Sequence, residues 1–146
     1  MSFPDRIVRT IELRHEPQRV WTALTTADGL AAWFGDKADI DLRVGGVAHL
    51  HWEKEGMSAA LDIKVVDPPH RFAYTWGIMG LPDDDPRRTF VEFVLEPTAT
   101  GTRLTVTESG FAQVPPDVYE SAYHGNTDGW RSELDELVAY LDGLAA

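Results

Sequence analysis

The sequence predicts an α+β fold: a curved antiparallel sheet wrapped around a long C-terminal helix, with two short helices after the first strand. Residues 38–110 read as successive strands that are apolar on one face only, the pattern of an antiparallel sheet with one wet face. The chain then ends in a single stripe, Tyr119, Tyr123, Asn126, Trp130, Leu134, Leu137 and Leu141, spaced by three or four residues on one helix face. Neither surface can hide its apolar side alone, so sheet and helix must bury each other. Where such a sheet is strongly curved, a gap can remain against the helix, and a ligand would go there.

The elements follow in order. Ile7, Thr10/Ile11 and Leu13 alternate among Arg9, Glu12 and Arg14, giving a first strand over 6–14 with one irregularity. His15-Glu16-Pro17 offers a helix start, with Pro in the first turn where its missing N–H is harmless. Val20, Trp21, Leu24 and Leu30 carry the apolar face of this helix and of a shorter one beginning near Asp28. Asp28 is expected as the N-cap of the second helix and Gly35 as its stop. Trp33 and Phe34, side by side at that helix end, would each bury on the order of 150–250 Å² on packing. They should therefore close one end of a core or pocket.

Ile40 and Leu42 alternate with Asp39, Asp41 and Arg43, and Gly45-Gly46 opens the next strand, in which Ala48, Leu50 and Trp52 share a face. Leu61, Ile63 and Val65 follow, then a turn at Asp67-Pro68-Pro69-His70, then Phe72, Tyr74 and Trp76. Gly80-Leu81-Pro82-Asp83-Asp84-Asp85-Pro86 is a loop. Val91, Phe93 and Leu95 form another strand, and after a Thr-Gly turn around residue 101, Leu104, Val106 and Glu108 form the last, closed by Gly110. Gly125 and Gly129 each weaken the final helix by about 1 kcal/mol relative to Ala. A bend or a separate short helix is expected near 125–129.

Composition narrows the function. A chain of 146 residues, 43% hydrophobic, is the size and make-up of one globular domain spanning 1–146. A net charge of −11 speaks against nucleic acid and against anionic membrane surfaces. No apolar run is long enough to insert in a bilayer, and the N-terminus, Met1-Ser2-Phe3-Pro4-Asp5-Arg6, lacks the features of a signal peptide. With Cys 0 there is no disulfide, thiolate nucleophile or Cys-based zinc site. A cytoplasmic domain, monomeric or homodimeric, is expected.

Five segments carry a family resemblance. Leu24 to Gly35 resembles an "lt-x-p-e-x-l-x-x-W-f" segment, and Asp41-Leu42-Arg43-Val44-Gly45-Gly46 a "d-x-r-x-G-G" entry to the sheet. Asp67 to Trp76 resembles a "P-P-x-r-l-x-y-t-W" turn and strand, and Gly101 to Phe111 a "g-T-x-l-t-l-t-h-x-G-f" strand. Gly129-Trp130 and the leucines after it resemble "G-W-x-x-x-l-x-x-L". In this order, over nearly the whole chain, they resemble the Hsp90-ATPase-activator-homologue (AHSA1-like) family of the START-like, or SRPBCC, ligand-binding superfamily. The resemblance implies the helix-grip fold with an internal cavity. Glu108 stands where many relatives place a His, so a role of that position does not transfer. The activators also carry a separate N-terminal domain. Here the domain starts at about residue 6, so Hsp90 is not an expected partner.

His49 and His51 share a strand face, but a metal site wants three or four ligands. They alternate with Ala48, Leu50 and Trp52, and should face solvent; no metal is expected. Glu108 is in phase with Leu104 and Val106 and should point toward the cavity, where a desolvated carboxyl could act as general acid or base. The alternative is a strand-end carboxyl, solvated or paired with Arg. Trp33, Phe34, Leu50, Tyr74, Trp76, Phe93, Glu108, Tyr123 and Trp130 form the expected ligand-lining set, against the alternative of a filled core. Trp52 is a weaker member, and His124 and Asn126 flank the glycine break where a pocket mouth would lie. No serine sits in a G-x-S-x-G setting, and Asp83-Asp84-Asp85 lacks the glycine and distal Glu of a calcium loop. No catalytic residue or cofactor is assigned.

These observations point to binding of a small hydrophobic or amphipathic molecule between sheet and helix. One alternative is a cyclase- or hydratase-type enzyme acting on a polyketide-like substrate through Glu108 with Tyr74 or His124. Another is a protein-interaction module of the chaperone-associated stress response.

Overall fold

The computed structural model describes residues 4–78, 80–82 and 84–144, so the N-terminal stretch is described from Pro4 onward. Strands β1 (Arg6–Leu13), β2 (Lys37–Ile40), β3 (Val47–Trp52), β4 (Met57–Asp67), β5 (Arg71–Gly77), β6 (Arg88–Pro97) and β7 (Thr102–Ser109) form one sheet. All neighbours are antiparallel, in the order β1-β7-β6-β5-β4-β3-β2. The two edge strands, β1 and β2, are consecutive in sequence. Helices α1 (Pro17–Thr25) and α2 (Ala27–Trp33) connect them, and α3 (Pro116–Leu144) packs over the inner face. This is the helix-grip arrangement expected from the one-sided strands and the final stripe.

Alternation places Leu50, Leu61, Ile63, Phe72, Tyr74, Val91, Phe93, Leu104 and Val106 in one buried cluster with Trp130, Leu134, Leu137 and Leu141 of α3. The other face is polar, with Glu12 bonded to Arg103, Arg71 to Glu92, and Asp39 to His49. Among the described residues, no helix is long and apolar enough to cross a membrane.

The short helices are set by local hydrogen bonds. Pro17 is the first residue of α1, as expected. Thr26, not Asp28, caps α2: its Oγ1 accepts from the Gly29 N–H at 3.0 Å. Asp28 lies in the first turn, where its charge still favours the helix dipole. Gly35 ends the helix, its N–H and that of Phe34 both reaching the Leu30 carbonyl. The Trp33 indole donates to the Ala23 carbonyl at 2.8 Å, satisfying an acceptor left over in the last turn of α1.

Three other expectations are corrected. β2 ends at Ile40, and Leu42 lies in the following turn, 39% exposed. The turn is imposed by the glycine pair: Gly45 sits at φ +87°, and a Cβ on Gly46 would come within 2.1 Å of the Asp41 carbonyl oxygen. In β4 the register shifts between Ile63 and Val65, so Val66 opposes Phe72 and packs on the core in place of Val65. Finally, α3 runs as one helix through Gly125 and Gly129, with no separate short helix. Its glycine-bearing half is pinned from outside, by Tyr119 Oη on the Pro4 carbonyl (2.6 Å) and Tyr123 Oη on the Arg6 carbonyl (3.2 Å). Tertiary contacts of this kind override weak local propensity.

Two substitutions test these backbone assignments in urea denaturation. Gly46→Ala should cost about 2 kcal/mol or more, because the clash is with backbone. Gly129→Ala, whose Cβ meets nothing within 4 Å, should add up to about 1 kcal/mol if α3 is continuous there.

Candidate functional site

One lateral row crosses the inner face of the sheet: Ile63 opposes Tyr74, Tyr74 opposes Val91, Val91 opposes Glu108, and Glu108 opposes Ile7. Glu108 is therefore a carboxylate in an apolar row, and it is 0% exposed. Four donors surround it. Trp76 Nε1 (2.8 Å) and Thr89 Oγ1 (2.5 Å) bond Oε2, and Trp130 Nε1 (2.9 Å) bonds Oε1. Asn126 Nδ2 reaches both oxygens, at 2.9 and 3.0 Å. None of the four is charged, and an indole N–H can only donate, so the shell is complementary to an acceptor-only group. These donors come from β5, β6 and α3. One side chain of β7 thereby ties three other elements together.

Aromatic rings enclose this centre. Trp33 and Phe34 stack at 4.8 Å, and Phe34 lies 5.5 Å from Trp130, 5.6 Å from Trp52 and 5.9 Å from Trp76. Trp76 and Trp130 stack at 5.8 Å, Trp130 meets Phe93 at 5.8 Å, and Tyr74 meets Trp76 edge-on at 5.4 Å. The rings expected to line a cavity thus touch one another. Open concavities lie elsewhere: about 390 Å³ beside Asp39, Gly45 and His49, and about 270 Å³ beside Arg19, Thr22 and Tyr140. The Tyr74 hydroxyl is buried and has no hydrogen-bond partner among the described residues. Burial first, and the Glu108 charge second, hold its phenol well above the ordinary value of 10.0.

Of the residues singled out from sequence, Trp33, Phe34, Tyr74, Trp76, Phe93, Glu108 and Trp130 come together, with Leu50 fully buried in the same core. Tyr123 sits apart, half-buried against Phe111 and stacked on Tyr119. His124 is exposed. His49 and His51 are exposed as expected, bonded to Asp39 and Ser58. Of the three loop aspartates, Asp83 lies outside the described residues, Asp84 is exposed, and Asp85 is engaged by Arg87 at 3.0 and 2.8 Å. That ion pair holds the Asp85 carboxyl down at about 2.

Sequence reasoning missed that Thr89 and Asn126 bind Glu108. The signal was there: Thr89 is in phase with Val91, Phe93 and Leu95, and Asn126 interrupts the apolar stripe of α3. Polar residues in apolar phase on facing elements are candidates to meet, because burial without a partner costs each of them.

A second carboxyl with a perturbed environment lies at the rim. Glu133 of α3 is half-buried, and its pKa is pushed up from 4.5 to about 7. Burial is the largest cause, followed by the Glu136 charge; interaction with Trp52 pulls the other way, and Glu55 and Asp36 add to the rise.

Comparison with known proteins places the chain among relatives of the same architecture. Residues 14–142 match the family described as Activator of Hsp90 ATPase homolog 1-like protein. No curated protein sequence matches. The chain is similar to the crystal structure of MLL2253 from Mesorhizobium loti, with 30% identity over 97% of this chain and 99% of that one, at a TM-score of 0.82. It is also similar to CalU16 from Micromonospora echinospora, with 25% identity over 93% and 74% of the two chains, at a TM-score of 0.68. The Aha1 dimer from Colwellia psychrerythraea, at 21% identity over 93% and 95% and a TM-score of 0.73, shows likeness of fold alone.

Glu108→Gln would set an amide NH₂ against donors that need an acceptor, and should cost about 2 kcal/mol in denaturant unfolding. Asn126→Ala should cost about 1.5–3 kcal/mol, the range for a hydrogen bond to a charged group. For Glu133 the native state keeps its proton to about 7 while the unfolded chain releases it near 4.5. Its contribution to stability should therefore fall as pH rises through that window and level off above it. In Glu133→Gln that decline should be absent from unfolding curves taken across the same pH range.

Proposed function

The chain belongs to the Activator of Hsp90 ATPase homolog 1-like family, and on that premise we propose that it binds a small hydrophobic or amphipathic molecule between the sheet and α3. The START-like fold of this family commonly binds ligands. The observation that carries the reading is Glu108, a fully buried carboxylate whose partners among the described residues are neutral, set against a layer of touching rings. For stability as such, a well-packed apolar side chain often serves as well or better. A binding site gains a fixed polar centre that orients a guest against apolar walls.

Trp76, Trp130, Phe34, Phe93 and Tyr74 form the walls, with Trp33 and Leu50 behind them. Because these rings touch, a guest enters by parting α3 from the sheet, against the bonds Asn126 and Trp130 make to Glu108. With both oxygens of Glu108 engaged and no exposure to solvent, this arrangement favours binding over proton shuttling. In this reading the chain acts in the cytoplasm as a monomer or homodimer; that a relative is described as a dimer supports the latter.

A thermal-shift screen over lipids, flavonoids and polyketides tests the reading. A ligand at 100 times its Kd adds about 2.7 kcal/mol, which in a domain of this size should raise Tm by roughly 5–10 °C. In NMR spectra the same compound should move the indole Nε1–H resonances of Trp76 and Trp130. Failure of every class to stabilise the protein, or hits that leave both resonances in place, would overturn it.

A further inference from the structure

Among the described residues two buried side-chain polar atoms have no hydrogen-bond partner, Arg9 Nε and Tyr74 Oη, and of the two Tyr74 packs against the rings around Glu108. Its side chain is 1% exposed, and no hydrogen-bond partner for Oη exists among the described residues. The donors around Glu108 are already committed: the two indoles, Thr89 and Asn126 all donate to the carboxylate. A buried hydroxyl without a partner is unfavourable, so the strongest polar interaction open to a guest is with Tyr74. The phenol is held neutral by burial and by the charge of Glu108, and it therefore presents an O–H donor that wants an acceptor.

The charge around that donor selects against anions. Glu108 stands on the same row, one strand position beyond Val91, with no cation among its partners. By register Arg9 lies on the inner face of β1 opposite Val106, so β6 and β7 stand between it and Tyr74, with Glu108 on the intervening side. An anionic head group brought to Tyr74 would meet a like charge in a dry environment, with no counter-ion beside it. The walls meanwhile are aromatic: Phe72, Trp76 and Phe93 lie 5.4–6.2 Å from the Tyr74 ring at interplanar angles of 37–72°, which suits an aromatic guest met edge-to-face.

We propose that the guest is an uncharged aromatic molecule carrying a carbonyl or similar acceptor, anchored by the Tyr74 hydroxyl, and that fatty acids and other anionic amphiphiles are rejected. This rests on the binding reading above and assigns its ligand class. Tyr74 is a specificity-determining residue, and Tyr74→Phe removes the anchor while filling the same space. Since the hydroxyl has no internal partner to lose, Tyr74→Phe should be at least as stable as the parent protein.

Three probes sharing one ring system and one attachment point decide it: acetylnaphthalene, ethylnaphthalene and naphthoate, titrated against the full chain at neutral pH and followed by the indole resonances of Trp76 and Trp130. Acetylnaphthalene should bind about fivefold tighter than ethylnaphthalene, the worth of one neutral hydrogen bond, and naphthoate should bind weakest. In Tyr74→Phe the preference for the ketone over the ethyl compound should vanish. Equal binding of all three, tightest binding of naphthoate, or a ketone preference that survives Tyr74→Phe would overturn the ligand class and leave the binding reading standing. If none of the three moves either resonance, the ligand class is overturned, while the binding reading stands or falls on the thermal-shift screen over every class.

Discussion

The carboxylate of Glu108 is the constraint around which the interior is organised. Removing a carboxylate from water costs several kcal/mol even after relaxation, and hydrogen bonds to a charged group return about 1.5–3 kcal/mol each. Four donors are of the size needed to offset the cost, and all four must be in place at once. They sit on β5, β6 and α3. The charge therefore fixes the rotation of α3 about its axis, because only the face bearing Asn126 and Trp130 can satisfy it. An apolar residue at 108 would hold the helix by packing alone and would tolerate a range of rotations.

The aromatic layer follows from that rotation. With its indole N–H directed at Glu108, the Trp130 ring is set against Trp76, Phe34 and Phe93. Phe34 reaches this position because α2 ends there. Its end is in turn fixed by Thr26 capping one terminus and by Trp33 bonding back to Ala23. Short-range helix chemistry near residue 26 thus decides which rings meet at the far side of the core. The closed layer and the polar centre beneath it are held by the same contacts.

Charge elsewhere is arranged differently. On the outer face, ion pairs such as Glu12–Arg103 and Lys37–Glu53 are solvent-exposed and are worth little individually. Asp85 and Arg87 order the loop before β6 through a paired interaction within two residues. Glu133 is intermediate: half-buried near the rim and crowded by other acids, it titrates close to neutrality. Glu108 is the fully buried carboxyl among the described residues, and its hydrogen bonds link elements distant in sequence.

Local chemistry was legible in the sequence wherever the period of the pattern decided it. Strand alternation placed Tyr74, Trp76, Phe93 and Glu108 on one face, the helical stripe placed Trp130 opposite them, and Pro17 and Gly35 marked helix limits. Each of these follows from backbone geometry within a few residues. The pattern failed where one residue changed the count, as at the bulge that exchanged Val65 for Val66. It also failed where tertiary contacts overrode propensity, as in α3 running through Gly125 and Gly129. What no local pattern could supply was which residues meet: that Asn126 of α3 and Thr89 of β6 converge on Glu108 of β7 depends on strand order and on where the helix crosses the sheet. Whether the rings leave a gap or touch was likewise decided by that crossing, because side-chain volumes do not set the distance between the surfaces that carry them.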